Sequence, residues 1–255
     1  MATLIDSPIS VFVCSLVLLW SATRLGALLR KRRGPIVDDV REDLSIVLAA
    51  ALTLLALVIG FTFSMALGRY DQRKICEGEE ANAIGTEYVR ANLLASADAS
   101  RLQALLRDYL DNRLMFYEHH DPVHLRQIDA RKAELQAELW SAILPAAAAQ
   151  PTPVVALAVS GMNDVLNSQG YAQAAWWNRI PLAAWALLGM IAYCCNLLIG
   201  YCARTPSGLG VRQFVLPVVL AIALGLIADI EAPRSGSILI APHNLSALKT
   251  SLRGP

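Results

Sequence analysis

The chain has 255 residues, enough for one sizeable domain or two small ones. Hydrophobic residues make up 55% of it and charged residues only 17%, and its formal net charge is +1. This composition is too apolar for an ordinary soluble protein, and the small net charge argues against nucleic acid as a partner.

Four strongly apolar stretches of the chain, called the uncharged stretches below, carry no Asp, Glu, Lys or Arg. A helix needs about 20 apolar residues to cross the hydrocarbon core of a bilayer, which is about 30 Å thick. The fourth stretch is the shortest and contains Pro217, so it can span only by extending past Asp229 or by thinning the bilayer. The uncharged stretches are residues 7–23, 44–68, 180–203 and 213–228. They predict a multi-pass protein of the cell (inner) membrane with four transmembrane helices.

The first of these stretches has the features of a retained anchor. Its basic cluster, RKRRG from Arg30, follows the apolar segment, whereas a cleaved signal peptide has its basic residues in front. No small-residue cleavage site stands before them. We therefore expect the first helix to remain in the membrane as a signal anchor.

A polar segment separates the second and third stretches and carries most of the charge of the chain. No proline lies between Leu44 and Pro122, so helix can continue from Leu44 deep into this segment. Further helices are expected from about residue 98, from 124 to 144 and from 154 to 167, with a loop at 145–153. The fold class that we predict is all-α, with four transmembrane helices and a helical extramembrane insert between the second and third. Its boundaries divide the chain into residues 1–43, 44–97, 98–178, 179–232 and 233–255.

One face of the second transmembrane helix is lined by small, polar and apolar residues. At 3.6 residues per turn these positions lie close to one line along the helix. Such a face usually marks helix–helix packing, which the pattern alone favours. It is also compatible with a narrow pore wall in which Leu57 and Phe61 form a hydrophobic constriction. We call this face the stripe; it consists of Thr53, Leu57, Gly60, Phe61, Ser64 and Gly68.

The segment that follows has a second small-residue face. Gly78, Ala81 and Gly85 lie on one side of the expected helix and would let another helix approach closely. Acidic residues are frequent here, but their spacing matches neither an EF-hand nor a di-iron site. The three small residues are therefore helix-packing candidates, and no metal ligand is assigned.

No catalytic motif is visible. The only histidine cluster, HHDPVH at residues 119–124, has too few potential ligands for a metal site. The five cysteines show neither a disulfide framework nor C-x-x-C spacing. We expect neither an enzyme nor a cofactor.

Several blocks of the sequence resemble a known family. They are FTFSMALGRYDQRK, EANAIGTEYVRANLL, NRIP before the third span and LIADIEAPRSGSI after the fourth. Together they are similar to the bestrophin-like membrane proteins of bacteria, long catalogued as a domain of unknown function. The resemblance extends from about Leu44 to Ile240, and EANAIGTEY is its most specific part.

A more distant similarity to the bestrophins themselves implies a function. Bestrophins are pentameric anion channels whose second helix lines the pore. Their apolar rings repeat at i, i+4 and i+8, and an arginine followed by an aromatic residue closes the helix. Here Thr53, Leu57 and Gly60-Phe61 match the ring positions and Arg69-Tyr70 the ending, although Thr53 is polar. The acidic calcium-clasp motif of the animal channels is not seen, so calcium gating is not implied.

The resemblance thus implies passive flux of chloride or a similar small anion through a homo-oligomeric, five-membered pore in the lipid bilayer. The candidate pore-lining residues are Thr53, Leu57, Gly60, Phe61, Ser64 and Arg69. The alternative is a non-conducting membrane scaffold or signalling protein that binds a partner through its helical insert. Loop charges would place the insert outside the cell, whereas the resemblance places it in the cytoplasm, which we favour.

Overall fold

The computed structural model describes residues 7–33, 37–203 and 212–253. Within these ranges the chain is helical and contains no strand, which confirms the all-α fold class. A short 3₁₀ turn, Ala91–Leu93, follows the second helix. The helices are α1 Pro8–Arg33, α2 Asp38–Arg90, α3 Ser96–Glu118, α4 Pro122–Ala149, α5 Pro153–Trp177, α6 Leu182–Cys202, α7 Arg212–Glu231 and α8 His243–Leu252.

Four helical segments are long and apolar enough to cross a membrane, judged by length and composition. They are Pro8–Arg33, Asp38–Leu93, Pro153–Cys202 and Gln213–Glu231, and each contains all, or all but one residue, of one of the four uncharged stretches. In α2 the uncharged part ends at Gly68, and the helix continues for 22 further residues as a charged segment.

The chain divides into two compact units. Unit 1 comprises Met1–Tyr70 and Arg179–Leu239, and unit 2 comprises Asp71–Asn178 and Ile240–Pro255. Unit 1 therefore holds the uncharged stretches, and unit 2 holds the charged insert together with α8.

In unit 1, α1 and α6 approach each other at two glycines. A Cβ at Gly26 would lie 2.0 Å from the carbonyl oxygen of Leu197, and one at Gly200 would lie 1.9 Å from the carbonyl oxygen of Thr23. Each glycine thus admits the backbone of the other helix, as small residues do in membrane proteins. The apolar core beside this crossing is formed by Leu19, Leu55, Leu188, Ala192, Cys195, Leu220 and Leu224.

In unit 2, α3 has an amphipathic pattern with an apolar face turned inward. Leu102, Leu106, Tyr109 and Phe116 recur at helical spacing, and all four are buried. Apolar residues of α4 and α5, among them Leu139 and Met162, are also buried in this unit.

The structure differs from the sequence prediction in three places, two in the insert and one in the C-terminal tail. Helix α4 continues into the first part of the expected loop and ends at Ala149, because the alanines after Pro145 are strong helix formers. The expected helix over 154–167 extends to Trp177 as a single helix, α5, which begins at Pro153 with the Thr152 hydroxyl accepting a hydrogen bond from the amide of Val155. Helix α8 was not predicted at all.

Candidate pore-lining helix and its surroundings

The apolar part of α2 has a packed face within unit 1. Leu55, Thr62 and Ala66 are buried there, at helical spacing, and Leu55 belongs to the apolar core. The Thr62 hydroxyl donates to the carbonyl oxygen of Val58, which satisfies this polar group inside the helix. This face anchors α2 to the rest of unit 1.

The stripe lies on a different side of α2 and is exposed. The side chains of Leu57 and Phe61 are 55% and 62% exposed, and Thr53 and Ser64 are exposed as well. A Cβ added at Gly60 would meet no atom within 4 Å. The stripe is thus not used for packing against the other described helices of the same chain.

Arg69, the predicted residue at the end of the pore helix, is held by an acid from α7. Its Nη1 atom lies 3.7 Å from Glu231 Oε1, and the two side chains are 18% and 3% exposed. The other oxygen of Glu231 accepts a hydrogen bond of 2.8 Å from the amide of Ile180. Glu231 therefore joins the end of the uncharged part of α2 to the chain just before α6.

A second acid of α7 shapes the turn that follows this helix. The carboxylate of Asp229 accepts hydrogen bonds from the amide and hydroxyl of Ser237, at 2.7 and 2.6 Å, and from the amide of Ile238. A Cβ at Gly236 would lie 2.5 Å from the carbonyl oxygen of Asp229, so this position needs a glycine.

These contacts bring together three of the sequence blocks that carry the resemblance. Arg69 comes from GRYDQRK, Ile180 from NRIP, and Asp229 and Glu231 from LIADIEAPRSGSI. An apolar cluster lies alongside and contains Ala66, Ile180, Ile227 and Ile230. The role of Glu231 could have been suspected from sequence, because an acid after an apolar run requires a partner.

In unit 2, α8 covers the small-residue face of α2. A Cβ at Gly78 would lie 3.4 Å from Asn244 Nδ2, and one at Gly85 would lie 3.0 Å from Leu248 Cδ1. Ala81, between these glycines, is buried. The helix-packing candidates therefore face an element that the sequence did not predict.

A buried acid holds the start of α8 on this face. Glu77 accepts a hydrogen bond of 2.6 Å from Asn244 Nδ2 and one of 2.9 Å from the amide of Leu245. A carboxylate at a helix N-terminus satisfies amides that the helix itself leaves unbonded. Glu77 thus has a structural role within unit 2.

A second buried acid, Glu80, forms an ion pair with Arg113 of α3, and both side chains are fully buried. Tyr117 donates its hydroxyl to the same carboxylate at 3.4 Å. Burial, followed by the Glu80 charge, raises the pKa of Tyr117 far above its usual value, so this phenol stays neutral. Burial alone would lower the pKa of Arg113, but Glu80 outweighs it and raises that pKa.

Arg73 of α2 binds the end of α5. Its Nε donates to the carbonyl oxygen of Ala175 at 3.1 Å and its Nη2 donates to that of Asn178 at 3.2 Å. A cation is stabilised at a helix C-terminus because the last carbonyl groups there have no partner within the helix. Both Arg73 and the Glu80–Arg113 pair therefore tie the charged part of α2 to the insert helices.

The histidine cluster caps a helix. Asp121 accepts hydrogen bonds from the amide of His124 at 3.2 Å and from its Nδ1 at 2.7 Å, which starts α4. These hydrogen bonds lower the pKa of the Asp121 carboxyl. Across the described ranges, no group of three His, Cys, Asp or Glu residues is arranged to hold a metal ion.

Comparison with known proteins gives a clear result for the fold. No protein-family model matches the sequence, and no curated protein matches it. Solved structures do match. A point variant of a bacterial bestrophin homolog from Klebsiella pneumoniae is 14% identical, with a TM-score of 0.63, over 96% of this chain and 99% of that one.

Other structures of the Klebsiella pneumoniae homolog agree. One further variant covers 96% of this chain and 95% of its own at a TM-score of 0.63 and 14% identity. Another structure covers 96% of both chains at a TM-score of 0.59, again with 14% identity. At this identity the likeness concerns the fold, and it extends over nearly the whole chain. Together with the four apolar helical segments, it shows a membrane protein with the bestrophin-like fold.

Proposed function

We propose that the protein is a homo-oligomeric anion channel of the inner membrane, with chloride or a similar small anion as the permeating ion and the stripe of α2 as the pore wall. One observation carries this proposal: the stripe is exposed while another face of the same helix is packed. Small and polar residues such as Thr53, Gly60 and Ser64 are typical of a face that meets protein or water, and a pore shared between copies would accommodate them.

The two large apolar residues of the stripe give the proposed pore its narrow region. Leu57 and Phe61 are one helical turn apart and more than half exposed, so a ring of either residue would form a hydrophobic constriction. The stripe contains no carboxylate that would attract cations. Arg69 lies at the end of the uncharged stretch, where its charge is partly balanced by Glu231. In a five-membered ring these features favour a small anion.

Flux into liposomes tests the proposal. Purified protein should pass chloride, and Phe61→Ala should increase the rate several-fold because the ring at that position becomes wider. Phe63→Ala is the matched control: it removes the same side chain from the same helix, two residues away and off the stripe. Absence of flux from well-folded oligomers, for the wild type and Phe61→Ala alike, would contradict channel function.

One argument for the scaffold alternative is weakened by the structure. It rested on small-residue faces available to a partner, but α8 covers the face at Gly78 and Gly85. Particle symmetry separates the two functions. A ring of five with α2 innermost supports the channel, whereas a monomer or dimer has no central pore and supports the scaffold.

A further inference from the structure

One carboxylate of α2 is buried against α5 within unit 2 without any hydrogen bond. Glu87 has no exposed surface, and neither of its carboxylate oxygens has a hydrogen-bond partner among the described residues. The residue of α5 beside it is Gly161, where a Cβ would lie 2.0 Å from Glu87 Oε2. The glycine thus leaves the space that the carboxyl group occupies.

Two charged residues act on this group. Arg90 is one turn along α2, and Asp164 is one turn along α5 from Gly161. Arg90 Nη1 lies 3.8 Å from Asp164 Oδ2, and these side chains are 32% and 64% exposed. The same Nη1 atom would be 2.6 Å from a Cβ at Gly161, so the guanidinium lies beside the buried carboxyl while it pairs with the outer acid.

An ionised carboxylate in this position would be costly. A buried charge without hydrogen bonds loses its hydration and has no hydrogen bonds to replace it, which favours the protonated form. Burial raises the pKa of Glu87 to about 8; Arg90 opposes this rise and Asp164 adds to it. Glu87 lies 19 residues beyond Gly68, outside the uncharged stretch of α2.

We propose that Glu87 is a proton-binding site and that Arg90 is its switch. With the proton bound, Arg90 pairs with Asp164 at the rim. When the proton leaves to solvent, the Arg90 guanidinium turns to the new carboxylate, which is the stronger attraction because it is buried, and releases Asp164. The state of Glu87 therefore controls an ion pair between α2 and α5.

The dependence of stability on pH follows from the raised pKa. Between the ordinary pKa of a glutamate, about 4.3, and the folded value of about 8, the folded chain binds more protons than the unfolded chain. The contribution of Glu87 is therefore complete below this window and declines as the pH rises through it. Above about pH 8 the folded state carries the whole cost of a buried carboxylate.

Infrared difference spectroscopy of the full chain in detergent detects the proton directly. Between about pH 6 and about pH 9.5, the carbonyl band of a protonated carboxylic acid should disappear from the wild type. Glu87→Gln, which keeps the size of the side chain, should lack this band at both pH values. A wild-type spectrum without the band, or one that Glu87→Gln leaves unchanged, would overturn the proposal. Neither reading depends on ion conduction.

The switch itself is tested at Asp164, which is exposed enough to be changed without loss of folding. Asp164→Asn removes the competitor for Arg90 and a repelling charge, so the infrared transition should move down by about one pH unit. Asp111→Asn is the control, because it removes a half-exposed acid that pairs with Lys249 and should leave the transition in place. An unchanged midpoint in Asp164→Asn would show that Arg90 does not switch between the two acids.

Discussion

At the scale of single residues, three buried acids of α2 differ in the groups that surround their carboxylates. Glu77 receives two hydrogen bonds and Glu80 pairs with an arginine, whereas the Glu87 oxygens have no hydrogen-bond partner among the described residues. All three follow one another along the inner face of α2 at about two-turn spacing or less. The same residue type thus serves as a helix cap, an ion-pair partner and a proton-binding site.

The close contact at Gly161 predicts the effect of a larger side chain at this position. Gly161→Ala should destabilise unit 2 by about 1–3 kcal/mol, because the new methyl group overlaps the Glu87 carboxyl. Gly170→Ala, in the same helix, is the matched control. A Cβ there meets nothing within 4 Å, so the alanine should be neutral or stabilise the helix by up to about 1 kcal/mol. Thermal denaturation of the two variants, read by circular dichroism, provides the comparison; equal melting temperatures would contradict the close approach.

The contacts of Glu231 predict how much stability is lost when its carboxylate is removed. Glu231→Ala should cost about 3–5 kcal/mol, because it leaves the Arg69 guanidinium without its counter-charge and the amide of Ile180 without its acceptor. Glu231→Gln should cost less, since the amide oxygen can still accept from Ile180. Asp71→Ala removes an exposed acid nearby in the sequence and serves as the control. Denaturation in detergent should rank the variants in this order, and a Glu231→Ala protein as stable as the control would contradict it.

At the scale of elements, the glycines of α1 and α6 decide how closely two transmembrane helices approach. Both Gly26 and Gly200 face a backbone carbonyl group of the other helix at distances where no Cβ fits. Backbone cannot move aside as a flexible side chain can. The hydropathy of α1 and α6 does not mark the point where the two helices meet, so composition alone does not reveal the crossing.

Substitution of these glycines should separate the helices. Gly200→Ala is expected to lower the apparent melting temperature by several degrees, since the methyl group must push the α1 backbone away. Gly189→Ala lies on α6 with open space around it and should have little effect. The measurement is thermal aggregation of the detergent-solubilised chain. Similar losses in both variants would mean that helix propensity, and not the crossing, is responsible.

The two small-residue faces of α2 have similar sequence patterns but different surroundings. The face at Gly78, Ala81 and Gly85 lies against α8, while a Cβ at Gly60 would meet no described residue within 4 Å. Sequence pattern indicated helix packing for both. The difference arises from which side of α2 the remaining helices occupy, and that depends on contacts distant in sequence.

At the scale of the whole molecule, the location of the insert is a prediction. We expect the insert on the cytoplasmic side, which the similarity to bestrophins favours over the charge bias of the loops. Protease added to inverted membrane vesicles should then cleave within residues 71–178, whereas protease added to spheroplasts should leave this segment intact. Cleavage in spheroplasts alone would reverse the orientation.

The sequence by itself determined the fold class, the four apolar segments and the resemblance to bestrophin-like proteins, because hydropathy and length are properties of the chain alone. It also marked the stripe as a distinct face of α2. Only the tertiary structure decided that this face is exposed, that Arg69 is paired with Glu231 and that Glu87 is buried without a hydrogen-bond partner among the described residues. These features depend on residues far apart in sequence, up to 162 positions for Arg69 and Glu231 (231 − 69), and no local pattern encodes such a contact. Helix α8 was not predicted because it is short. Its position on α2 depends on Glu77 and two glycines, which precede it by more than 150 residues.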